Sequence, residues 1–499
     1  MADVTADGAR PAENAGYGSK PYRGYVLTLL VLVYTLNFID RNLLSVIAQP
    51  VIDEFNLSDS QYGFLNGPPF AIFYALMGIP IAMAADRFNR VWIIALCISI
   101  WSVMAALCGL ATSFAFLLMA RIGVAIGEAG CTPPANSLIA DYFIPRNRVN
   151  ALGIFSMGVT IGGALSNAFG GPIATGLHGP AIAAMFEAWN WTWVLNLLDW
   201  NQVEGWRVAF VVIGAPGVIL ALVVLFTMRE PPRGYSDPPG SAPVEKASFV
   251  ETLRELSRKP TFWMMAMGAA LTALVGYGLA GFQAPMAQRV HGISPGEFAL
   301  RFGLPLSLFA ALGTFLGGFL IERFSPRFPN AVAILPGLGL ILAIPFYLGA
   351  FFQPTERLGL AFALWSVAAV LHYAYLGSQY TIGQGVVSTR SRASAIAVLL
   401  LTVALIGNGL GPQIVGWLSD YFMTTQIAQA GMADVLTNDI CRARDLSALA
   451  EDQRAVCQMA YGEGLRLSMA ATALIFVPAG LFFIVSARTL QRDMVAKLG

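Results

Sequence analysis

Residues 24–46 read GYVLTLLVLVYTLNFIDRNLLSV. An α-helix rises 1.5 Å per residue, so a run of about 20 apolar residues is long enough to cross a bilayer. After this first run, which begins at Gly24, comparable runs begin near Tyr62, Val91, Phe114, Val149, Arg207, Thr261, Glu297, Asn330, Leu358, Arg392 and Gly462. The sequence therefore predicts an all-α membrane protein with about 12 transmembrane helices.

The composition excludes several other classes of protein. Apolar residues make up 56% of the chain and charged residues only 12%, whereas a soluble domain carries about 25% charged residues. A net charge of +1 offers no basic surface to nucleic acid. Three His and five Cys residues without ligand spacing predict no metal site and no cofactor. The chain has no G-x-S-x-G or H-E-x-x-H motif, which argues against an enzyme.

The basic residues predict the orientation of the chain in the membrane. If the N-terminus is cytoplasmic, the first three outer loops contain no Lys or Arg, while the cytoplasmic segments contain Arg87, Arg90, Arg146, Arg148, Arg323, Arg327, Arg390 and Arg392. This distribution follows the positive-inside rule and predicts that both termini are cytoplasmic. The absence of a targeting peptide, together with short loops, favours a bacterial inner membrane.

The chain divides near its midpoint into two similar halves. The segment AMAADR at 82–87 matches GFLIER at 318–323, and RNR at 146–148 matches RSR at 390–392. Matches half a chain apart indicate a duplicated six-helix unit. The predicted organisation is a cytoplasmic tail, a first six-helix bundle, a cytoplasmic linker, a second six-helix bundle and a second tail, at residues 1–23, 24–228, 229–259, 260–487 and 488–499.

These motifs resemble those of the major facilitator superfamily. The run DRFNR at 86–90 is similar to the superfamily's motif between helices two and three, and GNGLGP at 407–412 resembles its Gly/Pro-rich bending helix. Within the superfamily, two stretches resemble the spinster group: NFIDR at 37–41, and Arg121 together with GEA at 127–129. The chain resembles a bacterial member of that group. The resemblance implies two pseudo-symmetric six-helix bundles that rock, and proton-coupled movement of a sphingolipid- or lysolipid-like molecule.

Four ionisable residues lie inside apolar runs: Asp40, Arg41, Arg121 and Glu128. An unpaired charge at bilayer depth costs at least ~2.5–3.5 kcal/mol, so each needs a partner or a water-filled cavity. Their depths favour pairing Asp40 with Arg121 and Arg41 with Glu128. We expect the two carboxylates to carry the coupling protons and the two guanidinium groups to bind an acidic headgroup. The alternative is a static network that holds two helices together.

Further polar and aromatic side chains are candidates for lining a substrate cavity. An aromatic ring with a polar tip suits a cavity that is apolar at one end and wet at the other. The candidates are Asn37, Tyr277, Trp365, Tyr373, Tyr375, Tyr380 and Arg301. Ordinary packing is the alternative for each aromatic residue, and Arg301 lies close enough to a helix end to extend its side chain to the membrane surface.

Two further sets of residues have expected roles. The superfamily resemblance assigns a cytoplasmic gate to Asp86, Arg87 and Arg90, which Glu322 and Arg323 repeat in the second half. The alternative is that these charges only set the orientation of the helices in the membrane. In the late polar loop at 423–460, Cys441 and Cys457 could form a disulfide if that loop lies outside the cytosol.

The predicted function is proton-coupled secondary transport of an anionic amphiphile by alternating access. A carrier of small organic anions, such as sugar acids or phosphates, is the alternative within the same class, because intramembrane arginines serve either substrate. A membrane sensor that binds its ligand without moving it is the alternative from another class. The expected partners are membrane lipids and the substrate, with the protein acting as a monomer.

Overall fold

The computed structural model of the protein describes residues 16–196, 199–237 and 249–495 and is helical almost throughout. In this part of the chain, twelve helical segments are long and apolar enough to cross a membrane. These segments, called spans 1 to 12 in chain order, are Lys20–Val46, Asp59–Arg87, Arg90–Gly109, Phe114–Tyr142, Pro145–Gly176, Gly205–Thr227, Pro260–His291, Pro295–Phe324, Ala331–Phe351, Thr355–Gly385, Arg392–Gln429 and Glu451–Asp493. The prediction of an all-α membrane protein is confirmed.

Many spans are interrupted, because Pro lacks an N–H group and Gly lowers helix stability. The interrupted spans consist of Asp59–Asn66 with Pro68–Arg87, Phe114–Ala129 with Thr132–Tyr142, Pro145–Leu165 with Gly171–Gly176, Gly205–Gly214 with Pro216–Thr227, Pro295–Phe298 with Leu304–Phe324, Leu358–Tyr373 with Leu376–Gly385, Arg392–Thr402 with Leu410–Gln429, and Glu451–Ala473 with Phe476–Asp493. Single π-helical turns, Ser166–Gly170, Ala299–Gly303 and Val403–Gly409, join the pieces of spans 5, 8 and 11. Such turns occur where a helix carries function or strain.

Short helices fill the connections that the sequence predicted as loops. The Trp-rich connection between spans 5 and 6 contains Gly179–Ala188, Thr192–Leu195 and the 3₁₀ turn Trp200–Gln202. The late polar loop contains Asn438–Arg442 and the first turns of span 12, which begins at Glu451 rather than near Gly462. Hydropathy placed that start too late because the first turns of the helix are polar and extend past the apolar run. The helices Ala48–Phe55 and Phe249–Ser257 complete the set of shorter helices in the described residues.

The predicted tails are also partly helical. Span 1 begins at Lys20, where the hydroxyl of Ser19 accepts a hydrogen bond from the backbone N–H of Tyr22 at 3.3 Å, and span 12 continues to Asp493. Residues 1–15 and 496–499 of the predicted tails, and 238–248 of the predicted linker, lie outside the described residues.

Six spans in each half place the linker and the described chain ends at the same end of the molecule. We call this the linker end, defined by residues 229–237 and 249–257. The opposite end, defined by residues 47–58 and 430–450, is called the far end. At the far end the backbones of spans 2 and 11 nearly touch: a Cβ added to Gly67 would lie 2.6 Å from the carbonyl oxygen of Gly409. Such close approach requires glycine.

The first part of the linker is anchored on the first bundle. The Arg90 side chain is fully buried and donates to Glu230 Oε1 at 2.6 Å and to the carbonyl oxygen of Pro231 at 3.0 Å. Arg90 also forms an ion pair with Asp141 of span 4. The carboxylate of Asp141 in turn accepts the backbone N–H of Gly234 at 2.8 Å. These buried, charge-assisted bonds fix residues 230–234 to the first bundle.

The second part of the linker is anchored on the second bundle through Glu255. Its carboxylate accepts the backbone N–H of Ser388 at 2.7 Å and the hydroxyl of Ser391 at 2.6 Å. Burial acts to raise the pKa of Glu255, but the hydrogen bonds from Ser391 and Ser388 outweigh it and lower that pKa below its ordinary value of 4.5. The contact therefore stabilises the docked helix above pH 4.5, and this stabilisation is lost as the pH falls through the lowered pKa.

We predict that Glu255→Ala speeds amide hydrogen exchange in the helix Phe249–Ser257 by roughly tenfold or more, because hydrogen bonds to a charged group contribute about 1.5–3 kcal/mol. Hydrogen exchange at neutral pH, followed by mass spectrometry, measures this directly. Arg258→Ala is the control, because the Arg258 side chain is exposed on the same segment. Unchanged exchange in Glu255→Ala would show that apolar packing alone holds the helix.

Candidate functional site

The four intramembrane charges lie together in the first bundle, on spans 1 and 4. Asp40 and Arg121 are each 2% exposed and Glu128 is fully buried. Arg41 Nε donates to Glu128 Oε2 at 2.9 Å, and Arg41 Nη2 lies 2.8 Å from the same oxygen. Of the two pairings expected from the sequence, the structure contains this one.

The other expected pairing is not formed as an ion pair in the described part of the chain. Asp40 Oδ1 has no hydrogen-bond partner among the described residues, and neither do Nε and Nη1 of Arg121. Glu128 Oε1 is also without a partner there. Buried polar atoms are nearly always hydrogen-bonded in proteins, so unpartnered donors and acceptors inside a transmembrane span indicate a place for a ligand, water or a proton.

Aromatic rings of span 2 contact both guanidinium groups. Arg41 Cζ lies 4.8 Å from the ring centre of Tyr74 and 5.2 Å from that of Phe70. Arg121 Cζ lies 5.2 Å from the same Phe70 ring, so this ring contacts both cations. Phe38, one turn before Arg41 in span 1, adds a third ring at 4.8 Å. Such contacts hold a cation in place without neutralising its charge.

Sequence reasoning did not single out Phe70 or Tyr74. The available signal was their spacing of four residues, which puts both rings on one face of span 2. Asn37, which was predicted, lies one turn before Arg41 on span 1 and is 1% exposed. Its Nδ2 atom has no hydrogen-bond partner within the described ranges. The amide therefore adds a further unpartnered donor to the charged cluster.

Tyr277 of span 7 connects this cluster to the second bundle. It lies within electrostatic range of Arg41 and of Tyr373, Tyr375 and Tyr380. Tyr277 and Tyr380 are 40% and 39% exposed, whereas Tyr375 is buried. The structure thus groups four of the predicted tyrosines in the second bundle, and one of them, Tyr277, lies near Arg41 of the charged cluster.

Trp365 and Tyr373 line a cavity inside the second bundle, of about 90 Å³. The cavity walls also include Gln283 and His372, and the Nδ1 atom of His372 lies 3.1 Å from the hydroxyl oxygen of Tyr347. A second, apolar pocket lies beside this cavity and shares Trp365 and Leu306 with it; its other walls include Met286, Ile293, Phe298, Phe302 and Phe362. Trp365 therefore stands between a polar and an apolar compartment.

Arg301 does not belong to the charged cluster. It forms an ion pair with Glu297, one turn earlier in span 8, and its side chain is 67% exposed. The sequence made Arg301 a candidate substrate ligand near the outer end of span 8, with extension of its side chain to the membrane surface as the alternative. The local ion pair instead directs its guanidinium group to the surface of the helix.

The predicted gate at the linker end is not assembled in this structure. Asp86, Arg87, Glu322 and Arg323 are all exposed, and within the described ranges no ion pair joins them to the other half. Arg90 was predicted as part of this gate, but its partners belong to its own bundle and to the linker that follows. Its burial makes Arg90 an anchor for the linker in this conformation.

A network that the sequence did not predict closes the far end. Arg289 of span 7 binds Asp59 of span 2 through two hydrogen bonds of 2.7 Å, and the two side chains are 3% and 2% exposed. Gln49 accepts Arg289 Nε at 2.8 Å, and the hydroxyl of Ser419 donates to Asp59 at 2.5 Å. A bidentate pair of this kind joins the two halves with fixed geometry.

The backbone of span 2 is also held by the second bundle. Asp420 of span 11 accepts the N–H of Asp59 at 3.2 Å and that of Ser60 at 3.0 Å. These are free donors at the start of a helix, where a carboxylate is favourable. The hydroxyl of Tyr62, one turn later, donates to the carbonyl oxygen of Gly281 in span 7 at 3.0 Å. The two halves therefore meet through polar contacts at the far end.

Cys441 and Cys457 form a disulfide between the helix Asn438–Arg442 and the first turns of span 12. The remaining cysteines, Cys97, Cys108 and Cys131, are free and buried.

Comparisons with known proteins agree with this architecture. The family model of the Major Facilitator Superfamily matches residues 30–412. An MFS-type efflux pump of Mycolicibacterium smegmatis is 33% identical over 403 residues, which cover 81% of this chain and 86% of the pump. Protein spinster of Drosophila melanogaster is 25% identical over 501 residues, covering 94% of this chain and 77% of that protein.

Two solved structures are similar over nearly the whole chain. Both are crystal structures of a bacterial homolog to the human lysosomal transporter Spinster. The inward-facing, unoccupied form has a TM-score of 0.90 and 55% sequence identity, with 96% of this chain and 100% of that chain covered. The inward-facing, occupied form has a TM-score of 0.88 and 53% identity at the same coverage.

Proposed function

The chain is a Major Facilitator Superfamily transporter of the spinster family, and we propose that it carries an anionic amphiphile, such as a lysophospholipid or a sphingolipid-like molecule, in exchange or together with protons. The observation that carries this proposal is the Arg121 guanidinium group, which is buried with two nitrogen atoms lacking a partner among the described residues. An anionic headgroup is the ligand that such a site suits, because guanidinium N–H groups bind phosphate and carboxylate bidentately.

Asp40 and Glu128 are the proposed proton carriers. Each has one buried oxygen without a hydrogen-bond partner in the described part of the chain, and each lies within electrostatic range of Arg121. Protonating Glu128 removes the charge that holds Arg41. The freed guanidinium group can then bind the substrate's anion, so proton binding and substrate binding are linked through one ion pair. Protons are the proposed coupling ion, and no cofactor is required.

The aromatic residues and the apolar pocket of the second bundle favour an amphiphile over a small organic anion. Tyr277 lies within electrostatic range of Arg41, and also of Tyr373, Tyr375 and Tyr380. Tyr373 and Trp365 line the same cavity, and Trp365 is shared with the apolar pocket. A headgroup at Arg121 could extend an apolar tail along these rings. Small sugar acids or phosphates remain the second candidate, because the guanidinium groups suit them equally well. For such a substrate, however, the apolar pocket has no use.

Transport is favoured over ligand sensing by the contacts between the halves. Polar contacts join the two bundles at the far end, around Asp59 and Arg289, while the charges at the linker end are exposed. A carrier that alternates its access needs one closed and one open end in each state. With a cytoplasmic linker, the conformation described here is the inward-facing one, as in the two related crystal structures.

The proposed location is a bacterial inner membrane with both termini in the cytoplasm. The basic residues favour a cytoplasmic linker end. The Cys441–Cys457 disulfide lies at the far end, and disulfides persist in oxidising compartments, so an outer position of the far end suits both observations. The protein is proposed to act as a monomer among membrane lipids.

The substrate class is tested by flux into proteoliposomes that contain the purified protein. A labelled lysophospholipid and a labelled sugar acid are supplied separately, each with and without an imposed pH gradient. We expect protein-dependent flux of the lysophospholipid, increased by the gradient. Flux of the sugar acid alone would contradict the amphiphile as substrate and favour a carrier of small organic anions. Binding of either compound without flux would favour a ligand sensor.

Arg121→Gln is predicted to weaken binding of a lysophospholipid by roughly 10- to 150-fold, because a hydrogen bond to a charged group contributes about 1.5–3 kcal/mol. Binding to the detergent-solubilised protein, measured by microscale thermophoresis, gives this ratio. Arg301→Gln is the matched control, since it removes an equal charge from an exposed ion pair. Equal lysophospholipid affinities of wild type and Arg121→Gln would show that Arg121 does not bind the headgroup.

A further inference from the structure

A small folded unit covers the far end between spans 11 and 12. We call residues 430–457 the cap. The cap contains the helix Asn438–Arg442 and the first turns of the helix Glu451–Ala473, and the disulfide between Cys441 and Cys457 joins them with a Cα–Cα distance of 4.7 Å. A separate small core joins Leu436, Cys441 and Cys457 of the cap to Met423 and Ile427 of span 11 and to Ala460 of span 12. The disulfide lies in the middle of this core.

The cap contacts the far-end network beside the first cysteine of the disulfide. Arg442 follows Cys441 directly, and its Nη2 atom donates to Asp420 Oδ1 at 2.7 Å. The Arg442 side chain is only 6% exposed. Asp420 accepts the backbone N–H groups of Asp59 and Ser60 from the other half. Arg442 therefore orients the carboxylate that holds the start of span 2.

A second contact begins at the other cysteine. Tyr461 lies one helical turn after Cys457, so both side chains face the same direction. The ring centre of Tyr461 lies 3.8 Å from Arg289 Cζ, and its hydroxyl oxygen accepts Gln49 Nε2 at 3.1 Å. The cap thus contacts Asp420 through Arg442, and the helical turn that follows the cap contacts Arg289 through Tyr461.

We propose that the Cys441–Cys457 disulfide is a positioning element for the far-end gate. By fixing the two helices of the cap to each other, it holds Arg442 on Asp420 and Tyr461 on Arg289, and so stabilises the conformation that is closed at the far end. This inference rests on the proposed alternating access but on no particular substrate. Without the disulfide the cap helices separate more easily. The fraction of molecules open at the far end then rises roughly fivefold or more, the usual size of coupling between linked sites.

The test is a distance measurement across the far end. Spin labels are attached to Thr112→Cys and Glu356→Cys, which replace exposed residues in far-end loops of the first and the second half. The native free cysteines are buried. Double electron–electron resonance gives the populations of short and long distances in proteoliposomes. The compared backgrounds are wild type, Cys441→Ser/Cys457→Ser, Arg442→Gln and the triple variant. Arg454→Gln is the control, because Arg454 is an exposed arginine on the same helix as Cys457.

We expect the double cysteine variant and Arg442→Gln to increase the long-distance population, Arg454→Gln to leave it unchanged, and the triple variant to add little. Non-additive effects are expected when two changes act through one contact. Unchanged distances in the cysteine variant, or fully additive shifts, would overturn the inference. If the cysteine variant does not fold, the distances are measured on the wild-type background with reduction-stable maleimide spin labels, before and after the disulfide is reduced. Mass spectrometry verifies the reduction, and unchanged distances then overturn the inference. If the distances shift in these variants but wild type shows no lysophospholipid flux, only the proposed substrate is contradicted.

Discussion

Asp59→Asn is expected to open the far end. Asp59 and Arg289 form a buried, bidentate ion pair between the halves, with both hydrogen bonds at 2.7 Å. Removing one partner of a buried pair costs about 3–5 kcal/mol, because the other charge is left without compensation. That cost applies only to the conformation closed at the far end, so the ratio of open to closed molecules should rise by roughly 150- to 5,000-fold.

Electron resonance distances between the same two labelled loops measure this shift. Glu297→Gln is the matched control, because it also removes a carboxylate from an ion pair at the far end, but the Glu297–Arg301 pair is exposed and lies within one helix. Such a pair contributes little. The combined variant Asp59→Asn/Arg289→Gln should be less open than Asp59→Asn alone, because it leaves no unpaired charge. A closed far end in Asp59→Asn would show that backbone packing of spans 2 and 11 suffices.

Asp40→Asn is expected to abolish pH-driven transport while preserving binding. The amide has the shape of the protonated acid but cannot exchange a proton, so the link between proton and substrate is cut. Coupling between linked sites is usually about 1–3 kcal/mol, and its loss should lower gradient-driven flux by roughly 5- to 150-fold. Exchange of labelled for unlabelled lysophospholipid without a gradient should continue, because Arg121 is intact.

Proteoliposomes that contain wild type or Asp40→Asn give the rate of gradient-driven flux when a pH gradient is imposed. Without the gradient they give the rate of lysophospholipid exchange. Glu297→Gln again serves as control for loss of an acidic residue outside the cluster. Full gradient response in Asp40→Asn would exclude Asp40 as a coupling residue and leave Glu128 to carry the proton alone. Loss of exchange as well as gradient response would indicate a structural role for Asp40.

The spans could be predicted from the sequence because hydropathy depends on local composition. Each apolar run is a property of about 20 neighbouring residues, and lipid requires every backbone group in it to be hydrogen-bonded within a helix. The start of span 12 at Glu451 was missed for the same reason, since a polar helix beyond the bilayer has no hydropathy signal. The charged cluster could be predicted because a charge such as Arg121 is rare inside an apolar run.

The far-end network could not be predicted in the same way. Asp59 and Arg289 are separated by 230 positions, and both lie at ends of spans, where charges are ordinary. Ser58 and Gln61 also form a capping box around Asp59, so the local sequence indicates only the start of a helix. Which end of the molecule is closed depends on contacts between the halves. The exposed charges at Asp86 and Arg87 belong to a recognisable motif, but they have no ion-pair partner among the residues that the structure describes.

Proton movement is the direct readout of the proposed coupling between an anionic amphiphile and protons. Wild-type proteoliposomes that contain a pH-sensitive dye, without any imposed gradient, receive a lysophospholipid on the outside. We predict a change of internal pH that depends on the protein, saturates with lipid concentration and is absent in Asp40→Asn. Protein-dependent lipid flux without any change of internal pH would contradict proton coupling.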